Sequence, residues 1–173
     1  RIQKLLSSTK TVQARFLQIS SNGEYSEGSL FLKRPGKLRL VYNAPNPLLV
    51  VADGTYISFV DRELEEATTI FLKMTNAEIL LREKISFFGN DLIVTGFERS
   101  PGVLRIAITK ADKPLAEKIT LIFSNSPIEL KKWIVTDSHG ITTTISLLES
   151  QFNIPIEKKK FIYVPTIKLN SPN

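Results

Sequence analysis

Residues 28–54 read GSLFLKRPGKLRLVYNAPNPLLVVADG, and they decide the fold because they supply three candidate β-strands joined by turns that proline and glycine mark. In the first strand, Leu30 and Leu32 lie on one face. In the second strand, the residues that share a face are Leu38, Leu40 and Tyr42. This strict alternation predicts antiparallel strands with one face in the core.

The third strand, which contains the run PLLVV at residues 47–51, has no polar face. Leu49 and Val51 lie on one side of it and Val50 on the other, so both faces are apolar. A strand of this kind is stable only where protein covers both of its faces. We therefore expect cover over this strand on each side of the sheet.

The composition is that of a globular protein with a basic surface. The 173 residues are 42% hydrophobic and 23% charged, which fits one domain over residues 1–173. No apolar run approaches the roughly 20 residues of a membrane-spanning helix. The net charge of +6 permits attraction to nucleic acid, anionic lipid or an acidic protein. The lack of cysteine excludes disulfides and thiolate metal sites. The sequence opens at Arg1 without a leader segment, which predicts a mature chain whose signal peptide has been removed.

The rest of the chain predicts further strands and short helices. Apolar residues recur at helical spacing in RIQKLLSS at residues 1–8, and a second helix is expected over residues 75–85, where Thr75 and Glu78 match a capping box. Short alternating runs separated by turns predict strands before that helix and again from residue 91 to residue 148. The run FIYV at residues 161–164 is expected to form an edge strand.

These elements amount to roughly ten or eleven strands with a few short helices. The predicted fold class is mainly β with short helices: an incompletely closed antiparallel β-barrel, or strongly curved sheet, covered by a helical lid. Such a sheet encloses more volume than short helices fill, which favours a lipid-sized cavity. The candidate lining residues are Leu30, Leu32, Leu38, Leu40, Tyr42, Leu49, Val51, Ile79 and Leu80. An ordinary hydrophobic core is an alternative interpretation of the same pattern.

The segment KRPGKLRLVY at residues 33–42 resembles the signature of the LolA family, the periplasmic outer-membrane lipoprotein carrier proteins. Five further segments fall in that family's order, and they are FLQ at residues 16–18, YISFVD at residues 56–61, TNAEILL at residues 75–81, WIVTDSHGITTTI at residues 133–145 and FIYVP at residues 161–165. The similarity covers nearly the whole chain. It implies a monomeric periplasmic carrier that shields the acyl chains of lipoproteins, without covalent chemistry and without a cofactor.

The resemblance also implies partners and site residues. Cargo would be acylated lipoproteins, received from the inner-membrane releasing complex LolCDE and passed, where it is present, to the outer-membrane receptor LolB. Arg34 matches the arginine that latches the helical lid in the family, although an ordinary surface arginine beside a turn is the alternative. Leu38 and Leu40 match cavity-lining positions, and Leu40 stands where relatives frequently carry tryptophan.

Other functions fit the residues less well. A lipid-binding or lipoprotein-sensing protein of the same half-barrel fold, without a transfer role, is the nearest alternative. Enzyme activity is disfavoured because Asp137, Ser138 and His139 are consecutive in a turn and cannot align as a triad. Nucleic-acid binding would rest on the lysines at residues 158–160 with Phe161 and Tyr163 beside them, which are more simply a solvated basic turn, so no nucleic-acid partner is expected.

Overall fold

The computed structural model describes residues 1–112 and 117–165, and across them eleven strands form an antiparallel sheet. The helices α1 and α2 are Ile2–Ser8 and Ala77–Leu81, and 3-10 helices lie at Leu72–Met74 and Lys158–Phe161. The strands in the first half of the chain are β1 Thr11–Ser20, β2 Tyr25–Lys33, β3 Lys37–Tyr42, β4 Leu48–Asp53, β5 Tyr56–Asp61 and β6 Glu66–Phe71. Those in the second half are β7 Leu92–Ser100, β8 Val103–Lys110, β9 Lys118–Asn125, β10 Ile128–Thr136 and β11 Thr142–Phe152. The predicted class, mainly β with short helices, is confirmed.

The sheet is a meander that is not closed. Its strand order is β6-β5-β4-β3-β2-β1-β11-β10-β9-β8-β7, so β1 lies at the centre and β6 and β7 are the edges. The segment between the two edge strands carries α2. Within the described part of the chain, no helix is long and apolar enough to cross a membrane.

The main core lies on one face of the sheet and includes the apolar sides of α1 and α2. Strands from both halves of the sheet contribute to it, with Leu38 and Leu40 from β3 and Ile106 and Leu121 from β8 and β9. A flat sheet of this many strands would be roughly 50 Å wide at about 4.8 Å per strand, far wider than helices this short. The short helix α2 nevertheless contacts both halves of the sheet, through Gly36 in the turn after β2 and through Lys110 of β8, so the sheet curves around the helices.

A smaller cluster on the opposite face contains Leu49, Val51 and Val60, with Tyr163 packed against it. The segment around the 3-10 helix Lys158–Phe161 lies over this face, where the Lys160 ammonium stands 4.3 Å from the centre of the Phe31 ring. The prediction that β4 needs cover on both sides is thus confirmed. The prediction of an edge strand at residues 161–164 is wrong, because this segment packs across the sheet instead of pairing with its edge.

The helix α2 is shorter than the sequence predicts. The Thr75 hydroxyl donates to the carbonyl oxygen of Leu72 (2.8 Å), and the Glu78 carboxylate contacts Arg82 and Lys110 instead of capping the helix. The predicted capping box therefore does not form. Glu78 and Arg82 are also half-buried, although the helical pattern predicts that both face water.

Candidate functional site

Arg34 follows β2 directly and joins the C-terminal ends of α1 and α2. Its Nη1 donates to the carbonyl oxygens of Leu6 (2.9 Å) and Thr9 (2.5 Å). Its Nε and Nη2 both donate to the carbonyl oxygen of Leu80, at 3.1 and 2.8 Å. The backbone N–H of Gly36 in the same turn donates to Leu81 (2.8 Å). One guanidinium therefore satisfies the free carbonyls of two helix ends, which its planar fork of donors suits.

The Arg34 side chain is almost completely removed from solvent. The residue is 7% exposed, and burial lowers the pKa of its guanidinium to about 10. The group still carries its charge at neutral pH, and the negative ends of the two helix dipoles stabilise it. The family resemblance pointed to Arg34, and the structure adds that its partners are backbone carbonyls of residues in and after both helices.

The predicted lining residues fall into two groups. Those on β2, β3 and α2 share the main core cluster, and they are Leu30, Leu32, Leu38, Leu40, Tyr42, Ile79 and Leu80. Leu49 and Val51 point to the opposite face and pack with Val60, so their assignment to the same cavity is corrected. The reason is that β4 has two apolar faces, and periodicity alone could not show which of them the helices cover.

A large cavity lies elsewhere, at the β7 edge of the sheet. We call it the edge cavity; its volume is about 820 Å³. Its lining comes from residues 1–3, 87–89, 92–94, 97, 99, 104, 106, 125 and 128. That volume falls within the roughly 300–1,000 Å³ of small-molecule sites. A second cavity of about 180 Å³ lies beside Arg34 and Leu32.

Sequence reasoning missed the residues of the edge cavity. Phe88 and Phe97 lie in its wall, and they are 93% and 60% exposed. Exposed aromatic side chains around a mostly apolar cavity are typical of a binding site. In the sequence, the pair Phe87-Phe88 before Gly89 could have indicated this cavity, because its segment lacks the apolar periodicity of a core helix or strand.

The other candidate groups have structural roles. The Asp137 carboxylate accepts the backbone N–H groups of His139 (2.8 Å) and Ile141 (3.0 Å), as expected of a turn residue. Phe161 is buried and therefore cannot stack on a base. Within residues 1–112 and 117–165, no group of three or more metal-ligating side chains comes together.

Comparisons with known proteins identify the family. The model of the family described as outer membrane lipoprotein carrier protein LolA matches residues 7–164. An outer-membrane lipoprotein carrier protein of Pseudomonas aeruginosa is 28% identical over 171 residues, covering 94% of this chain and 81% of that protein. The one from Dechloromonas aromatica is 30% identical over 176 residues, covering 95% and 82%.

Solved structures agree on the fold. A LolA superfamily protein from Nitrosomonas europaea superposes with a TM-score of 0.55 at 10% identity, over 94% of this chain and 96% of that one. An uncharacterised conserved protein from Thermus thermophilus gives 0.53 at 10% identity, over 96% of each chain. The chain therefore belongs to the LolA family of outer-membrane lipoprotein carrier proteins, which transport lipoproteins and are not enzymes.

Proposed function

We propose that this protein is a monomeric periplasmic carrier, one domain over residues 1–173, that holds the acyl chains of lipoproteins between the inner and the outer membrane. The observation that carries the proposal is the set of hydrogen bonds from Arg34 to α1 and α2, which holds both helices over the apolar face of the sheet. In this proposal α1 and α2 form a lid, and Arg34 is its latch. Cargo is received from the LolCDE complex and delivered to LolB where that receptor exists.

The energetics suit reversible capture. Burying an acyl chain contributes about 0.8 kcal/mol of binding free energy per methylene. A lipid with several acyl chains therefore binds more tightly when the lid opens and exposes more apolar surface. Hydrogen bonds from a charged group contribute roughly 1.5–3 kcal/mol. A latch of a few such bonds biases the lid toward the closed state, and bound acyl chains can outweigh it.

We assign the first contact with an acyl chain to the edge cavity. Its walls are already open and mostly apolar while the lid is closed, and they adjoin α1 through Ile2. The packed residues Leu30, Leu32, Leu38, Leu40, Tyr42, Ile79 and Leu80 would line the site only after α2 moves away. Chains would thus enter beside β7 and extend under the lid.

The function is tested by release of a radiolabelled triacylated lipoprotein from inner-membrane vesicles that contain the releasing complex. We expect the wild-type protein to bring the lipoprotein into the soluble fraction as a one-to-one complex. Arg34→Leu is expected to accept cargo and to pass less of it to outer membranes, because its lid no longer closes behind departing chains. If the wild-type protein binds free lipids but releases no lipoprotein, the fold serves lipid binding or sensing without transfer.

Substitutions in the edge cavity are expected to weaken acyl binding without affecting folding. Phe97→Ser removes apolar surface that a bound chain would cover, and a loss of about 1.5 kcal/mol corresponds to roughly tenfold weaker binding. Binding of a brominated fatty acid can be followed by quenching of Trp133. This residue pairs with Leu121 on β9, which pairs with the cavity residue Ile106 on β8.

The matched control is Tyr25→Ser, because Tyr25 is also 60% exposed but lies outside the edge cavity. It should bind the fatty acid as the wild type does. Equal affinities for wild type, Phe97→Ser and Phe88→Ser would show that acyl chains do not use the edge cavity.

A further inference from the structure

We propose that Lys110 is a second positioning residue for α2, which holds the lid across the gap between the edge strands β6 and β7 independently of Arg34. The inference rests on the proposed function, since it takes α2 as the element that moves. In the sheet, β6 and β7 are the two edge strands, and they do not pair with each other. The connection between them consists of the 3-10 helix Leu72–Met74, α2 and the loop that follows.

Lys110 is the last residue of β8 and reaches this connection from the other side of the gap. Its ammonium group donates to the carbonyl oxygens of Lys73 (2.9 Å) and Thr75 (3.1 Å). It also lies 3.1 Å from Oε2 of Glu78 in the first turn of α2. An ammonium has three donors, and these three acceptors use all of them. The side chain therefore fastens the start of α2 and the turn before it to the β8 strand.

The carboxylate of Glu78 extends the tether to β7. Glu78 Oε1 lies 2.6 Å from Arg82 Nε, and Arg82 Nη1 forms an ion pair with Asp91, the residue before β7. Burial acts to raise the pKa of Glu78, but hydrogen bonds from Arg82 and Lys110 outweigh it and hold that pKa below its usual value. The network is therefore charged, partly buried and shared between α2 and both strands of the β7–β8 pair.

The two tethers hold different parts of α2. Arg34 binds the carbonyl oxygen of Leu80 near the end of the helix, and Lys110 binds Glu78 near its start. They come from opposite halves of the sheet, Arg34 after β2 and Lys110 from β8. Movement of α2 away from the core must break both sets of contacts. Lys110 pairs with Leu92, which lines the edge cavity, so the tether that it forms stands beside the proposed entry of the acyl chain.

The test is amide hydrogen exchange of Lys110→Met compared with Lys132→Met. Lys132 is an exposed residue of β10, so its substitution removes the same charge without touching α2. We expect exchange at residues 77–82 to become about tenfold faster in Lys110→Met and to stay unchanged in Lys132→Met. Exchange in the central strands β1, β2 and β11 should be the same in both variants, which shows that folding is intact.

Two outcomes would overturn the proposal. One is exchange at residues 77–82 that is as slow in Lys110→Met as in Lys132→Met. The other is equal acceleration in α2 and in the central strands, because Lys110 would then support the whole fold and not the position of the lid. Raising the salt concentration should reduce the difference in exchange rate between the two variants. The reason is that salt screens the ion pair of Lys110 with Glu78, which is intact in Lys132→Met and already absent in Lys110→Met.

The same variants separate this inference from the carrier function. Capture of the brominated fatty acid should be faster in Lys110→Met than in Lys132→Met, because the lid opens more often. If neither the wild type nor the variants bind acyl chains while exchange in α2 still rises, the tether stands and the carrier function fails. If all of them bind and exchange in α2 is unaffected, the carrier function stands and the tether fails.

Discussion

Arg34→Leu is expected to lower the free energy of unfolding by about 3 kcal/mol and to accelerate amide exchange in both α1 and α2. The substitution leaves the carbonyl oxygens of Leu6, Thr9 and Leu80 without their side-chain donor. Each buried carbonyl that loses its partner costs roughly 1–3 kcal/mol, and relief of the buried charge offsets part of that loss. The acceleration should be greatest at the ends of the helices, where these carbonyls lie.

Urea unfolding followed by Trp133 fluorescence measures this effect, because Trp133 is the protein's one tryptophan and lies in the main core. Arg15→Leu serves as the control. Arg15 forms an exposed ion pair with Glu149 at 3.2 Å, and such pairs contribute less than about 1 kcal/mol. If Arg34→Leu and Arg15→Leu unfold at the same urea concentration, the carbonyl contacts of Arg34 do not stabilise the closed lid.

Gly28→Ala is expected to destabilise the protein by at least about 3 kcal/mol and to reduce the yield of folded protein. Gly28 lies in β2 between Phe16 of β1 and the β3 strand. A Cβ atom at this position would overlap the backbone carbonyl oxygen of Val41 and lie 2.9 Å from two atoms of the Phe16 ring. The ring has little freedom to move, since it is fully buried and packs edge-on against Tyr42 at 5.1 Å.

Gly96→Ala is the matched control, because Gly96 also lies within a strand. A Cβ atom there would have an ordinary contact of 3.8 Å with the Cβ of Ala107. This substitution should be neutral or slightly stabilising, since alanine loses less backbone entropy on folding. Thermal unfolding compares the two variants directly. Similar midpoints for Gly28→Ala and Gly96→Ala would mean that β1, β2 and β3 adjust at little cost.

The predictions that succeeded rest on local rules. The alternation of Leu38, Leu40 and Tyr42 places them on the core face, as β3 does in the structure. The failures occur where distant partners compete with local preference. Thr75 and Glu78 match a capping box, but Lys110 from β8 binds the carboxylate instead. The run FIYV has strand propensity, but Tyr163 packs against the apolar outer face of β4 and the run does not pair with a sheet edge.

The sequence by itself determined the mainly β class, the succession of strands along the chain, the two apolar faces of β4 and, through the resemblance around residues 33–42, the family and the choice of Arg34. These features depend on side-chain period and turn residues, which neighbouring positions specify. Only the tertiary structure decided which face of β4 meets the helices, where the edge cavity opens, and that Lys110 reaches α2. Each of these depends on the curvature of the sheet and on contacts between residues far apart in the chain, which no local pattern encodes.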